Sequence, residues 1–338
     1  IGLFGYTRNA NISNISLTNG SITGNNLVGG IVGYAWDSTI QNCSSDIIIE
    51  GSRNVGGIVG FSNGSNINNC ANLGMLFGND QYIGGIVGYG SSGGSIEYCY
   101  NIAGIYATNC SYVGGIVGSL NRGSSDLIWV RYCINYSQII GHSNVGGIVG
   151  YTGSNTSYYG PSVSYCANVN NILAESDFGG IVGSGGLYVT IYSCYNTGNI
   201  MCLGMGPDND DVNMGGIVGD AYHGSIRCCY NTGDINTSYG NGVGGILGSC
   251  SGASSPVSIS GCFNLGSVYT VYGDQSTTGE ITGSSDATQN TCYTASQSRP
   301  TDLSWFTNTS NWHFSARWDF SNAWGLSSNY NNNYSVEV

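Results

Sequence analysis

The chain has 338 residues, of which 8% are charged, 56 are glycine and none is lysine, and its net charge is −12. Its seven arginines are scattered and form no basic stripe to neutralise phosphates, which argues against nucleic-acid binding and against docking on an anionic membrane surface. Asn, Ser, Thr, Tyr, Ile and Val fill most of the rest, so strands with glycine and asparagine corners are expected and almost no helix.

The chain opens on Ile1-Gly2-Leu3-Phe4-Gly5, a partial copy of the phrase Val-Gly-Gly-Ile-Val-Gly. Further copies place the first glycine of the pair at Gly29, Gly56, Gly84, Gly114, Gly146, Gly179, Gly215 and Gly244, and a worn copy runs from Gly279 to Gly283. The intervals range from 27 to 36 residues. Self-similarity at such a period marks a solenoid, a propeller or an array. Because the chain begins with Ile inside a copy, it reads as a piece of a longer product. No apolar run is long enough to span a bilayer, so no membrane insertion is expected.

After each glycine phrase comes Ile-x-x-Cys-x-Asn, as in Ile67 to Asn72, and then Gly-x-Ile/Val, as in Gly198-Asn199-Ile200 and Gly233-Asp234-Ile235. Each part is a short β-branched run bounded by Gly, Asn or Ser, the signature of a strand between corners. Three short parallel strands per coil predict an all-β fold, a parallel β-solenoid (β-helix) of about ten coils over residues 1–295. A propeller blade needs four antiparallel strands and about 40 residues, more than these coils have, and a leucine-rich pattern is absent. Stacking at about 4.8 Å per coil gives a rod of roughly 48 Å, in which each coil needs its neighbours to complete the core. The glycine pair implies a tight corner or a close backbone approach in every coil. It is not a phosphate loop, since no helix follows and no GxxxxGK[ST] is present.

Nine of the thirteen cysteines occupy the repeat position: Cys43, Cys70, Cys99, Cys133, Cys166, Cys194, Cys229, Cys262 and Cys292. Ile15 takes that place in the first coil, which suggests an inward apolar site and a reduced, buried ladder. Parallel stacked cysteines seldom reach disulfide torsion, and zinc needs four converging ligands. Cys228 precedes the inward Cys229, so strand alternation turns it outward. A Cys228–Cys250 bridge between coils is then open beside the reading of free thiols. Cys110 and Cys202 have no evident partner.

Gly-Gly-Ile-Val-Gly together with Cys-Tyr-Asn-Thr-Gly (Cys194–Gly198 and Cys229–Gly233) resembles the GLUG repeat, over nearly the whole chain to about residue 293. The segment Trp318 to Gly325 resembles what often follows such arrays. The resemblance implies a large secreted or cell-surface bacterial protein, adhesin-like or the non-catalytic part of an immunoglobulin-A peptidase. It supplies a surface location and a scaffold or adhesive role, but no ligand.

Chemistry is sparse. The three histidines, His142, His223 and His313, belong to no HExxH and read as exposed loop residues, and no GxSxG elbow occurs. A polysaccharide hydrolase or lyase on this fold would need carboxylates converging on one face, whereas nineteen acids are spread along the chain. The densest group, Asp208, Asp210 and Asp211, is a solvated loop or a calcium site; no other cofactor is expected. Insertions at 121–128 and 154–161 lengthen the middle coils, and Tyr158-Tyr159 in the second offers a platform for a glycan or host protein. The competing reading is that outward tyrosines pack on one another from coil to coil. Asn-x-Ser/Thr acceptors for glycosylation stand at Asn11, Asn14, Asn19, Asn42, Asn63, Asn109, Asn135, Asn155, Asn236, Asn308 and Asn333.

The tail, 296–338, holds Trp305, Trp312, Trp318 and Trp324, and serves as a cap on the solenoid end or as a subunit-linking contact. Taken together, the residues predict a non-enzymatic extracellular structural protein, a rod-like surface or filament subunit that self-associates end to end. The alternatives are an adhesin acting through loop tyrosines and, behind it, a polysaccharide-acting enzyme.

Overall fold

The computed structural model describes residues 1–122, 127–154, 160–203, 212–238, 240, 242–251, 257–270, 278–279, 281–283, 288–290, 293–294, 324–326 and 335–337. These form a parallel β-solenoid, and none of them is helical. One coil runs from Val59–Asn63 on a first face to Asn66–Asn68 on a second. It then crosses a third face as Ala71–Asn72 and Leu76–Gly84 before the next glycine phrase. Every pairing between coils is parallel and joins equivalent residues: Val32 with Val59, Ile40 with Ile67, Asn72 with Asn101, Ile105 with Ile139. Among the described residues, the first face has nine strands and the second ten. Eight intervals separate Gly29 from Gly279, so the expected ten coils include a partial or worn turn at each end. In the tail, Trp324–Leu326 pairs antiparallel with Ser335–Glu337.

The interior is divided in two. Ile and Val of the glycine phrase, the central Ile of the second face and the repeat cysteine fill one lobe, as in Ile58, Val59, Ile67 and Cys70. A second, separate cluster lies inside the third face, built from Val55, Leu76, Ile83, Ile105 and their equivalents. The glycine pair makes the waist between them. A Cβ on Gly57, Gly85 or Gly147 would collide with the carbonyl of the equivalent glycine one coil on and with the side chain of Asn72, Asn101 or Asn168 respectively. The first glycine is equally confined, since a Cβ on Gly84 would strike the Val87 carbonyl. Of the two roles open to the pair, close approach is the one observed; none of these glycines has a positive φ. Removing Cβ lets the backbone dip to the centre of the coil.

Corners are made instead by residues with side chains. The residue before each repeat cysteine is left-handed in successive coils: Asn42 (φ 53°), Asn69 (49°), Tyr98 (53°), Tyr132 (55°), Tyr165 (54°), Ser193 (51°) and Cys228 (53°). Asparagine tolerates this region, whereas tyrosine enters it only when its surroundings repay the strain. Tyr98, Tyr132 and Tyr165 stack on one another with centroids 4.8 and 5.0 Å apart and planes within 5°.

Candidate functional site

The columns that run along the rod are its most organised chemistry. At the waist, Asn72, Asn101, Asn135, Asn168, Asn196, Asn231 and Asn264 form one buried ladder. From Asn72 to Asn231, each side-chain amide donates to Oδ1 of the next asparagine at 2.7–2.9 Å. It also donates to a carbonyl two residues on, at 3.1 Å for Asn101 and Ala103 and at 2.8 Å for Asn196 and Gly198. The ladder thus satisfies its own polar groups in a dry interior, where an unpaired amide would cost about 1–3 kcal/mol. Its lower end is incomplete: Asn72 Oδ1 and the Ser45 hydroxyl one coil below are buried without partners. The Cys-x-Asn spacing carried the signal for this ladder, but its inward direction shows only once the waist is known.

The repeat cysteines Cys43, Cys70, Cys99, Cys133, Cys166, Cys194, Cys229 and Cys262 are buried thiols in the first lobe. Each Sγ donates to the carbonyl two residues earlier; Cys133 reaches Arg131 at 3.2 Å and the Ile96 carbonyl of the preceding coil at 3.5 Å. Burial raises the pKa of Cys99, Cys133, Cys166, Cys194 and Cys229 well above the usual thiol range. Such thiols are poor nucleophiles, because the thiolate is the reactive form. Cys292 lies outside the described residues.

The four remaining cysteines divide differently from expectation. Cys228 is buried rather than outward, because the left-handed corner interrupts the alternation that holds only along an extended strand. Cys250 ends the strand Leu247–Cys250 on the first face, in register with Ala221, and packs in the first lobe. Both are thiols, and the bridge between them is not formed. Cys110 is buried in the second lobe, where burial pushes its pKa up to about 12, and Cys202 is half-buried.

Among the glycosylation acceptors, Asn11, Asn14, Asn19, Asn42, Asn109 and Asn236 are exposed and Asn63 is half-buried. Asn135 is a correction: it is a rung of the waist ladder, its amide nitrogen already donating to Ser137 and Asn168, and no glycan can reach it. Asn155, Asn308 and Asn333 lie outside the described residues, as do Asp208, Asp210, Asp211, Tyr158, Tyr159, His313, Trp305, Trp312 and Trp318. Trp324 is described only as part of its short antiparallel pair.

Of the described histidines, His142 is exposed, with Nδ1 3.0 Å from Glu175 Oε2. His223 is largely buried against Tyr188 and Tyr222, not in an exposed loop. Outside the waist, Asp220 packs on the first face near Asp177 and accepts from the Ser251 hydroxyl at 3.0 Å, while its Oδ1 is buried without a partner. Burial raises its pKa to about 6, against the pull of that hydrogen bond. Tyr82, Tyr89, Tyr112 and Tyr151 pack on one another at equivalent positions in earlier coils, through edge-to-face and stacked contacts of 5.1–5.3 Å.

Residues 24–49 match the family model described as the GLUG motif. No curated protein and no solved structure matches the chain. Among the described residues, no helix is long and apolar enough to cross a membrane.

Proposed function

We propose that this chain of GLUG-type coils is a non-enzymatic structural rod working outside the cell, where it assembles end to end into filaments. The observation that carries the reading is the parallel coil-to-coil pairing of equivalent residues, with register shifts only at Thr18/Ser21 and Gly78/Gln81 among the described pairings and ladders of Asn, Cys and Ile running through consecutive coils. Each coil presents the same row of N–H and C=O groups above and below. Coils of two molecules can therefore join by the pairing that joins coils within one. The GLUG motif, typical of secreted and surface proteins, supports the location. The lack of lysine removes a major class of protease site, which suits exposure.

The main outward aromatic column favours this reading over an adhesive one. Sugar binding uses the open face of an aromatic ring, and Tyr132 has one face against Tyr98 and the other against Tyr165. Within this column the ring of Tyr132 has both faces covered by its neighbours.

Negative-stain electron microscopy at several concentrations tests the proposal. Filaments with an axial repeat near one rod length are expected. Short single rods at every concentration would remove the end-to-end assembly, and compact particles would remove the rod.

A further inference from the structure

The three faces differ in what they show to solvent. The second face is polar, with outward residues such as Asn66, Ser95 and Thr190. The third face is uncharged across five successive coils, and two apolar columns run along it with Gln138, Asn171 and Asn199 between them. Segments 71–77, 100–106, 134–140, 167–173 and 195–201 contain no charged residue, in a chain of net charge −12. One outward column rises from Phe77 through Tyr106 to Met201, and Phe77 and Tyr106 stack at 5.4 Å. A parallel column holds Ile102, Tyr136 and Val169, which are 51%, 48% and 41% exposed.

The stripe has defined ends and a polar margin. Glu50 lies directly beneath Phe77 in register, and Asn236 directly above Met201. The exposed pairs Arg53–Asp80 and His142–Glu175 sit along the corner at its side. Two apolar columns flanking a polar one, inside a rim bearing both signs of charge, have the mixed composition of a protein interface.

We propose that this face pairs with the same face of a second copy, so that two rods lie side by side. Charge favours that occupant: two chains of net charge −12 can meet here without bringing like charges together. Extent favours it as well. Five coils at about 4.8 Å and about six residues of width at about 3.3 Å give roughly 500 Å² in projection, before side-chain relief is counted. Stable interfaces bury about 600–800 Å² of accessible surface per partner at their smaller end. A face made of ladders is also self-complementary, its ridges repeating every coil, and one sheet packs on another about 10 Å away. Lateral pairing goes beyond end-to-end assembly and does not depend on it.

Sedimentation velocity of the full chain over a wide range of concentration tests the pairing, with the variants Ile102→Glu and Thr190→Glu beside it. The wild type is expected to dimerise. Ile102→Glu should weaken the dimer at least about tenfold, as a charge in an apolar column of an interface does, while Thr190→Glu, on the polar face, leaves it intact. Circular dichroism checks that each variant is folded; if Ile102→Glu is not, Ile102→Gln takes its place. A wild type that is monomeric throughout overturns the proposal, as does an Ile102→Glu dimer of unchanged strength. A monomeric chain that floats with phosphatidylcholine vesicles gives the face to lipid instead. In the microscope, Ile102→Glu filaments of single width would separate lateral pairing from end-to-end growth.

Discussion

Gly115 and Asn135 touch across the waist of the rod: the Cβ that Gly115 lacks would stand 2.5 Å from Cγ of Asn135. The same Cβ would overlap the Gly147 carbonyl of the next coil. Backbone on one side and a hydrogen-bonded rung on the other leave nothing free to move. Gly115→Ala should therefore destabilise by more than about 3 kcal/mol, in line with severe overpacking. Gly5→Ala, where a Cβ meets nothing within 4 Å, should be close to neutral. Urea unfolding of the two variants, compared at constant slope, reads the difference.

Asn135 donates to Asn168 and accepts from Asn101, so its removal strands a polar group in both neighbouring coils. Asn135→Ala should cost about 2–4 kcal/mol by the penalty for buried unmet hydrogen bonds. Asn135→Asp should cost more, since it places a charge where Asn168 Oδ1 has lost its donor. Thermal unfolding with Asn11→Ala, at an exposed strand position, as the reference gives the ranking; equal midpoints for Asn135→Ala and Asn11→Ala would show that the ladder adds nothing.

The thiols predict an order of reactivity. Among the described cysteines, Cys202, half-buried, should be alkylated first in the folded protein, ahead of the buried ladder from Cys99 to Cys229. Peptide mass spectrometry after brief iodoacetamide treatment, with and without urea, measures this. Rapid labelling of Cys133 or Cys166 without urea would mean that the first lobe opens readily.

Asp220 gives a pH dependence of defined sign. Its folded pKa of about 6 lies above the unfolded value near 3.8, so the folded state binds the proton more tightly between those limits. Its stabilising contribution is present at pH below about 4 and is lost as pH rises through about 6. Asp220→Asn should raise the thermal midpoint at neutral pH and change it little near pH 4. A variant that is destabilised equally at both pH values would assign Asp220 a purely packing role.

The repeating phrase was enough to identify a parallel solenoid, and Ile15 at the place of Cys43 was enough to turn the repeat cysteines inward. Period and pleat are local properties: an apolar residue that returns at the same place in every coil has only the core to face. The same locality misplaced Cys228, whose corner breaks the alternation, and it offered Asn135 as a glycan acceptor, because a sequon is read from three adjacent residues and burial is not. The outward tyrosine ladder is visible in the spelling Tyr98, Tyr132, Tyr165, yet its left-handed backbone is not.

The amino-acid sequence by itself determined the all-β class, the coil period and the inward column of repeat cysteines. Only the tertiary structure decided that the coil is pinched into two lobes, that Asn72 through Asn264 bridge the waist, and that one face is left uncharged. Those features depend on residues 27 to 36 apart meeting through space. Gly57 has its reason in Asn72 and in the coil above, and no window of adjacent residues contains both.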